Sequence, residues 1–216
     1  MIADQPMSAE VHTHRRVWEG AVFDMDEDVI SVPGEEAKLT RHYVAHPGAV
    51  AVVALRESSS PSGLEVALID QYRHPVQAKL WEIPAGLLDI EGEDPLQAAK
   101  RELWEEANLE AASWQVLVDY FTSPGGSTEG LRIYLAREVA EVAEEAAFDR
   151  RGEEATMTLR WVDLDEAVAA IHAGKLHNPS AVVGVLATAS ARAQQWEPLR
   201  PADAAWMRSP WNRAER

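Results

Sequence analysis

Residues 94–108 constrain this chain more tightly than any other stretch. Asp94 suits an N-cap, and Pro95 suits the first helical position, where a backbone N–H would lack an intrahelical partner anyway. Asn108 can take the left-handed conformation that ends a helix. Between these stops Leu96, Ala99, Leu103 and Ala107 fall on one face at about 100° per residue, forming an apolar stripe that needs a core. Glu102, Glu105 and Glu106 lie beside that stripe within an arc of roughly 100°. Like charges at this spacing destabilise an isolated helix by about 0.2–0.5 kcal/mol per pair. Two readings follow from spacing alone. One is a solvated acidic face, partly neutralised by Arg101; the other is a site for divalent cations, which favour carboxylate oxygen.

The rest of the chain reads as strands with few helices. Short strands are expected at 17–25, 28–32 and 39–44, with a turn at Val32-Pro33-Gly34-Glu35, after about 15 polar residues expected to be mobile. Three such strands are too few to be stable alone, so they should pack on the main body or on a second subunit. Apolar β-type runs at 49–55 and 65–71 flank a Ser/Pro/Gly loop at 58–63. Further strands fit 115–121, 131–139 and 158–162. Helices fit 165–173, stopped by Gly174, and 179–193. The tail from Trp196 carries Trp, Pro and Arg and has no evident place. This pattern suggests a mixed sheet between helices.

Composition removes several functions. A formal net charge of -16 disfavours charge-driven binding to nucleic acid. It would also repel a phosphate substrate unless bound cations reversed the local sign, although acidity can serve solubility alone. With no cysteine there is no disulfide, thiolate zinc site or cysteine nucleophile. The seven histidines lack an H-E-x-x-H spacing, which argues against zinc. Ser58, Ser59 and Ser60 have no base in view, against a serine hydrolase. No apolar run approaches the length of about 18 residues needed to span a membrane, and the start does not read as a secretory signal. A cytoplasmic setting is expected.

The run Gly86-Leu87-Leu88-Asp89-Ile90-Glu91-Gly92-Glu93, then seven residues, then Arg101-Glu102-Leu103-Trp104-Glu105-Glu106-Ala107-Asn108-Leu109 resembles the Nudix box. That pattern is glycine, five residues, glutamate, seven residues, then R-E-U-x-E-E-x-G-U, with U a bulky aliphatic. Here six residues separate Gly86 from Glu93, and Asn108 stands in place of the last glycine; no carboxylate is lost. The resemblance implies an α/β fold, the Nudix α/β/α sandwich with a mixed sheet, preceded by a small N-terminal antiparallel β-domain. The expected divisions are 1–45 for the N-terminal strands, 46–195 for the catalytic domain and 196–216 for the tail. Glu102, Glu105 and Glu106, with the carbonyl of Ala85, would hold about two to three magnesium (or manganese) ions. Arg101 and Glu93 match positions that hold loop and helix in place. Water activated at that site would attack phosphorus.

Other residues narrow the resemblance to the ADP-ribose pyrophosphatase subgroup. Glu82-Ile83-Pro84-Ala85-Gly86 is similar to its E-x-P-A-G run. Pro124, a small-residue loop and Glu129 follow the box as they do in that subgroup, although such a loop also reads as a plain connection. Arg73 matches a diphosphate-binding position, suited by its planar fork; it also reads as a surface arginine offsetting acidity. Arg41, Glu82, Pro124 and Glu129 are the further candidates for substrate binding, Arg41 by reaching across a homodimer. Glu153 and Glu154 resemble an acidic loop that closes over the site and supplies a general base, against an ordinary solvated loop. The implied reaction is hydrolysis of ADP-ribose to AMP and ribose 5-phosphate. Alternatives are another nucleoside diphosphate derivative, such as a sugar nucleotide or a dinucleotide cofactor, or a non-catalytic sensor. The complete set of glutamates argues against a sensor. Expected partners are the small-molecule substrate and a second copy of the chain, with neither nucleic acid nor membrane.

Overall fold

A computed structural model describes residues 2–148 and 157–207. The chain forms two compact units. One runs to Pro47 and takes in Phe121–Glu129; the other holds Gly48–Tyr120 and the described residues from Gly130 onward.

In the first unit, β1 (Glu10–Glu19), β2 (Asp24–Ser31) and β3 (Leu39–Ala45) make an antiparallel sheet in that order. The single strand expected at 17–25 is broken. Gly20 donates to the Asp24 carboxylate at 3.2 Å as the chain reverses, and a Cβ at Gly20 would collide with the Trp18 ring. Residues from Glu10, expected to be mobile, belong to a strand. The cause is a polar ladder. Asp24, Asp26 and Asp28 alternate onto one buried face of β2, where Arg16, His14 and Tyr43 meet them. Hydrophobic periodicity cannot register a strand fixed by cross-strand ion pairs.

The second unit is built on a larger sheet. Its path is β10 (Leu159–Asp163), β5 (Leu64–Arg73), β4 (Ala49–Glu57), β9 (Gly130–Glu141), β8 (Leu109–Phe121) and β11 (Arg200–Pro201). Two short strands lie off this path: β6 (Ala78–Glu82) pairs with β5, and β7 (Ala85–Leu87) with β4. β4 runs parallel to β9 and antiparallel to β5, so the sheet is mixed. The side chains of β4 divide between two cores. Ala49, Ala51, Val53 and Leu55 pack with α2 (Leu164–His172) and α3 (Pro179–Ala193). Val50, Val52 and Ala54 pack under α1 (Pro95–Ala107). Helices cover both faces, giving an α/β/α sandwich. No helix among the described residues is long and apolar enough to cross a membrane.

Local chemistry sets α1 as read from the sequence. Asp94 accepts from the N–H of Leu96 at 2.9 Å. Asn108 adopts φ 52 and ψ 42, and its N–H returns to the carbonyls of Leu103 and Trp104. β6, β7 and β11 were not foreseen; each is short, and Pro84 or Pro201 obscures two of them. β8 starts at Leu109 rather than 115, because Glu110, Ala111, Ala112 and Ser113 carry little strand preference.

The described part of the tail, residues 196–207, finds a place. Trp196 packs against the α2/α3 core, with the Arg137 guanidinium 5.4 Å from its ring centroid. Arg200 and Pro201 then pair with β8. Arg132, only 3% exposed, forks onto Asp119 at 2.7 and 2.9 Å and donates to the carbonyls of Ala204 (2.8 Å) and Ala205 (3.2 Å). Its guanidinium lies 4.9 Å from the Trp206 ring centroid.

Candidate active site

An open depression of about 300 Å³ lies in the second unit, lined by β5, β7, Asp89 and the acidic side of α1. On β5, Gln71 and Arg73 are two residues apart and therefore point to the same face. The register sets Ala78 opposite Arg73 and Glu82 opposite Ile69. Arg73 reaches back along the strand and forks onto Glu82 through Nε at 2.9 Å and Nη2 at 2.7 Å. Glu82 is 1% exposed, so it acts as the buried seat of Arg73 and does not line the depression.

Burial of the apolar stripe of α1 turns its glutamates toward β7. Glu106 accepts a hydrogen bond from the N–H of Ala85 at 2.8 Å. Glu102 stands against Gly86, where an added Cβ would collide with its carboxyl group. Glycine lets the carboxyl group come that close, and a larger residue would push it aside. Arg101 ties the surroundings together. It forks onto Glu93 at 3.0 and 2.9 Å, pairs with Glu102, and reaches Glu105 at 3.3 Å. The hydrogen bonds to Glu93, acting against burial, and then the charge of Glu102 hold the Arg101 guanidinium well above its ordinary pKa.

The donor set suits a hard divalent cation. The candidate set of Glu102, Glu105, Glu106 and the backbone oxygen of Ala85 would offer oxygen donors throughout. Asp89, Glu102, Glu105 and Glu106 outnumber Arg73 and Arg101, each of which is also tied to a further glutamate. The depression therefore carries surplus negative charge, although Glu102 and Glu106 are largely buried. As they stand, no three acidic or histidine side chains among the described residues are close enough together to grip an ion. Arg101 and the Ala85 N–H take up part of their bonding capacity.

The sequence pattern of the NUDIX domain matches residues 45–182, a span that contains β4, β7, α1 and the whole depression. This chain belongs to the Nudix family. It is similar to the ADP-ribose pyrophosphatase of Mycobacterium tuberculosis, with 41% identity over 191 residues covering 88% of this chain and 87% of that protein. It also resembles the methanol dehydrogenase activator of Bacillus methanolicus, with 33% identity over 79% of this chain and 86% of that one. Among solved structures, an ADP compounds hydrolase superposes with a TM-score of 0.69. That alignment covers 89% of this chain and 98% of the other at 14% identity, a likeness of fold.

Within this Nudix domain the extra residue of the box falls in a turn. The Glu93 N–H bonds to the Ile90 carbonyl at 3.2 Å, and Gly92 takes φ 76. The remaining site candidates divide by unit. Arg73, Ala85, Glu102, Glu105 and Glu106 come together at the depression. Arg41, Pro124 and Glu129 belong to the first unit. Arg41 is exposed on β3 and donates to the carbonyl of Thr40 at 3.1 Å. Pro124 sits in a turn where the N–H groups of Gly126 and Ser127 bond to the Ser123 carbonyl at 3.0 and 2.9 Å. Glu129 accepts from the Thr122 hydroxyl at 2.6 Å. Glu153 and Glu154 lie outside the described residues. Gln71 and Asp89 line the depression without having been singled out from sequence. For Gln71, the available signal was its alternation with Arg73.

Alanine at Gly86 should displace the Glu102 carboxylate and lower kcat by about 100-fold, since a shift near 1 Å in a catalytic group costs about that much. Steady-state kinetics at saturating metal checks this. An unchanged kcat would mean that the fit between Gly86 and Glu102 has no bearing on turnover.

Proposed function

We propose that this chain is a divalent-metal-dependent pyrophosphohydrolase that cleaves ADP-ribose to AMP and ribose 5-phosphate. The observation that carries the reading is one depression lined both by an arginine fork and by Glu102, Glu105 and Glu106. A diphosphate suits both, because its oxygens accept from Arg73 while its charge calls for cations at the carboxylates. Similarity to an ADP-ribose pyrophosphatase favours ADP-ribose among diphosphates.

Glu102, Glu105, Glu106 and the Ala85 carbonyl would hold the cation, with magnesium as the ion in this reading. When bound, it would supply Lewis-acid polarisation of a phosphoryl oxygen and a place where water is made more acidic. Arg73 binds the diphosphate, and Glu82 fixes the plane of its guanidinium by engaging Nε and Nη2. Arg101 holds α1 and the Glu93 loop in register, so that the carboxylates stay aimed at one place. The oxygen of water bonds to one phosphorus while the bridging oxygen leaves with the other phosphate. Glu153 or Glu154 takes the proton of that water in this reading. A homodimer belongs to the same proposal. Val17, Trp18, Val22 and Phe23 of the first unit stay 39–53% exposed, an apolar surface that a second copy would cover.

The test is hydrolysis of ADP-ribose, sugar nucleotides, dinucleotide cofactors and nucleoside triphosphates, with magnesium and with chelator. Magnesium-dependent release of AMP, fastest from ADP-ribose, is expected. Faster cleavage of another compound would keep the metal helix and discard the substrate. Binding without turnover across the panel would favour a sensor.

A further inference from the structure

We propose that Gln71 is a substrate-binding residue whose side-chain amide donates to a phosphoryl oxygen of the bound diphosphate. The proposal rests on the pyrophosphohydrolase reading and adds a residue to it. Gln71 is 8% exposed, lines the depression, and makes no side-chain hydrogen bond among the described residues. Buried amides are normally paired, so one left open toward a depression marks a place where a ligand completes the bonding.

The row along β5 supports this. Ile69, Gln71 and Arg73 share a face and pass from buried apolar, through buried polar, to half-exposed cation as the strand enters the depression. Arg73 reaches back along the strand to meet Glu82, opposite Ile69, and so extends toward Gln71. Both residues line the depression, so one ligand there can meet the amide and the guanidinium together. The depression has acceptors in plenty, with four carboxylates, while both of its guanidinium groups are bonded to glutamates. A neutral N–H donor is the scarce group there. A phosphoryl oxygen, which only accepts, is the partner that it matches. Metal-bound water or a ribose hydroxyl would instead find carboxylates to receive its protons.

The experiment compares Gln71→Leu and Gln71→Glu with the unaltered protein. Steady-state kinetics on ADP-ribose with magnesium gives kcat and KM; calorimetry of ADP-ribose in chelator gives Kd without turnover. Thermal melts establish that each variant is folded, and leucine suits so enclosed a position. Gln71→Leu is expected to raise KM and Kd about tenfold with kcat within about twofold, as for one lost hydrogen bond. Gln71→Glu should weaken binding further, because a carboxylate cannot donate and repels phosphate. Unchanged KM and Kd in Gln71→Leu would overturn the proposal. So would a Gln71→Glu variant that binds as well as the unaltered protein, which would make the residue an acceptor. Lack of turnover by the unaltered protein would sink the hydrolase reading alone, and the calorimetry would still decide on Gln71.

Discussion

Glutamine in place of Glu106 is expected to lower kcat by about a thousandfold, near the upper end of what losing one electrostatic catalytic group costs. That corresponds to about 4 kcal/mol of transition-state stabilisation. Glu106 is 6% exposed and accepts from the Ala85 N–H. A glutamine carbonyl can keep that bond and the same volume, so the helix and its core should remain. Only the charge disappears. Kinetics across a magnesium titration, with a thermal melt as control, separates the outcomes. A folded variant whose turnover matches that of the unaltered protein would remove the acidic side of α1 from the mechanism.

The second large effect concerns stability. Methionine at Arg132 should cost about 3 kcal/mol, at the low end for breaking a buried ion pair, because Arg200 still reaches Asp119 at 3.0 Å. The guanidinium joins Asp119, the Ala204 and Ala205 carbonyls and the Trp206 ring, and methionine replaces none of the polar contacts. Urea unfolding would measure the loss, and the melting temperature should fall by about 6–12 °C for a chain of this size. A change below about 1 kcal/mol would show that the tail covers the sheet without steadying it.

The legibility of these features followed their range in the sequence. The limits of α1 depend on Asp94, Pro95 and Asn108, each acting on its neighbours, so they could be read directly. The convergence of Glu102, Glu105 and Glu106 follows from helical geometry alone, and the structure places all three at one depression. β1 escaped because its partners are Asp24, Asp26, Asp28 and Glu27, and charge pairing leaves no hydrophobic rhythm. The place of the tail depends on Arg132 and Asp119, more than 70 residues away in sequence. Gln71 looked like one more polar residue at a strand end. Its significance comes from a depression that only the folded arrangement of β5, β7 and α1 creates.

β11, two residues long, has a further consequence. It is the last strand beside β8, pairing Arg200 with Val116 and Pro201 with Gln115. An uncovered β8 would offer its outer backbone groups as a template for another chain. Pro201 has no N–H to give, so the strand that closes this edge is itself a poor place to add a neighbour. The tail thereby covers this part of the edge, and molecules shortened before Arg200 are expected to join one another edge to edge before they lose activity.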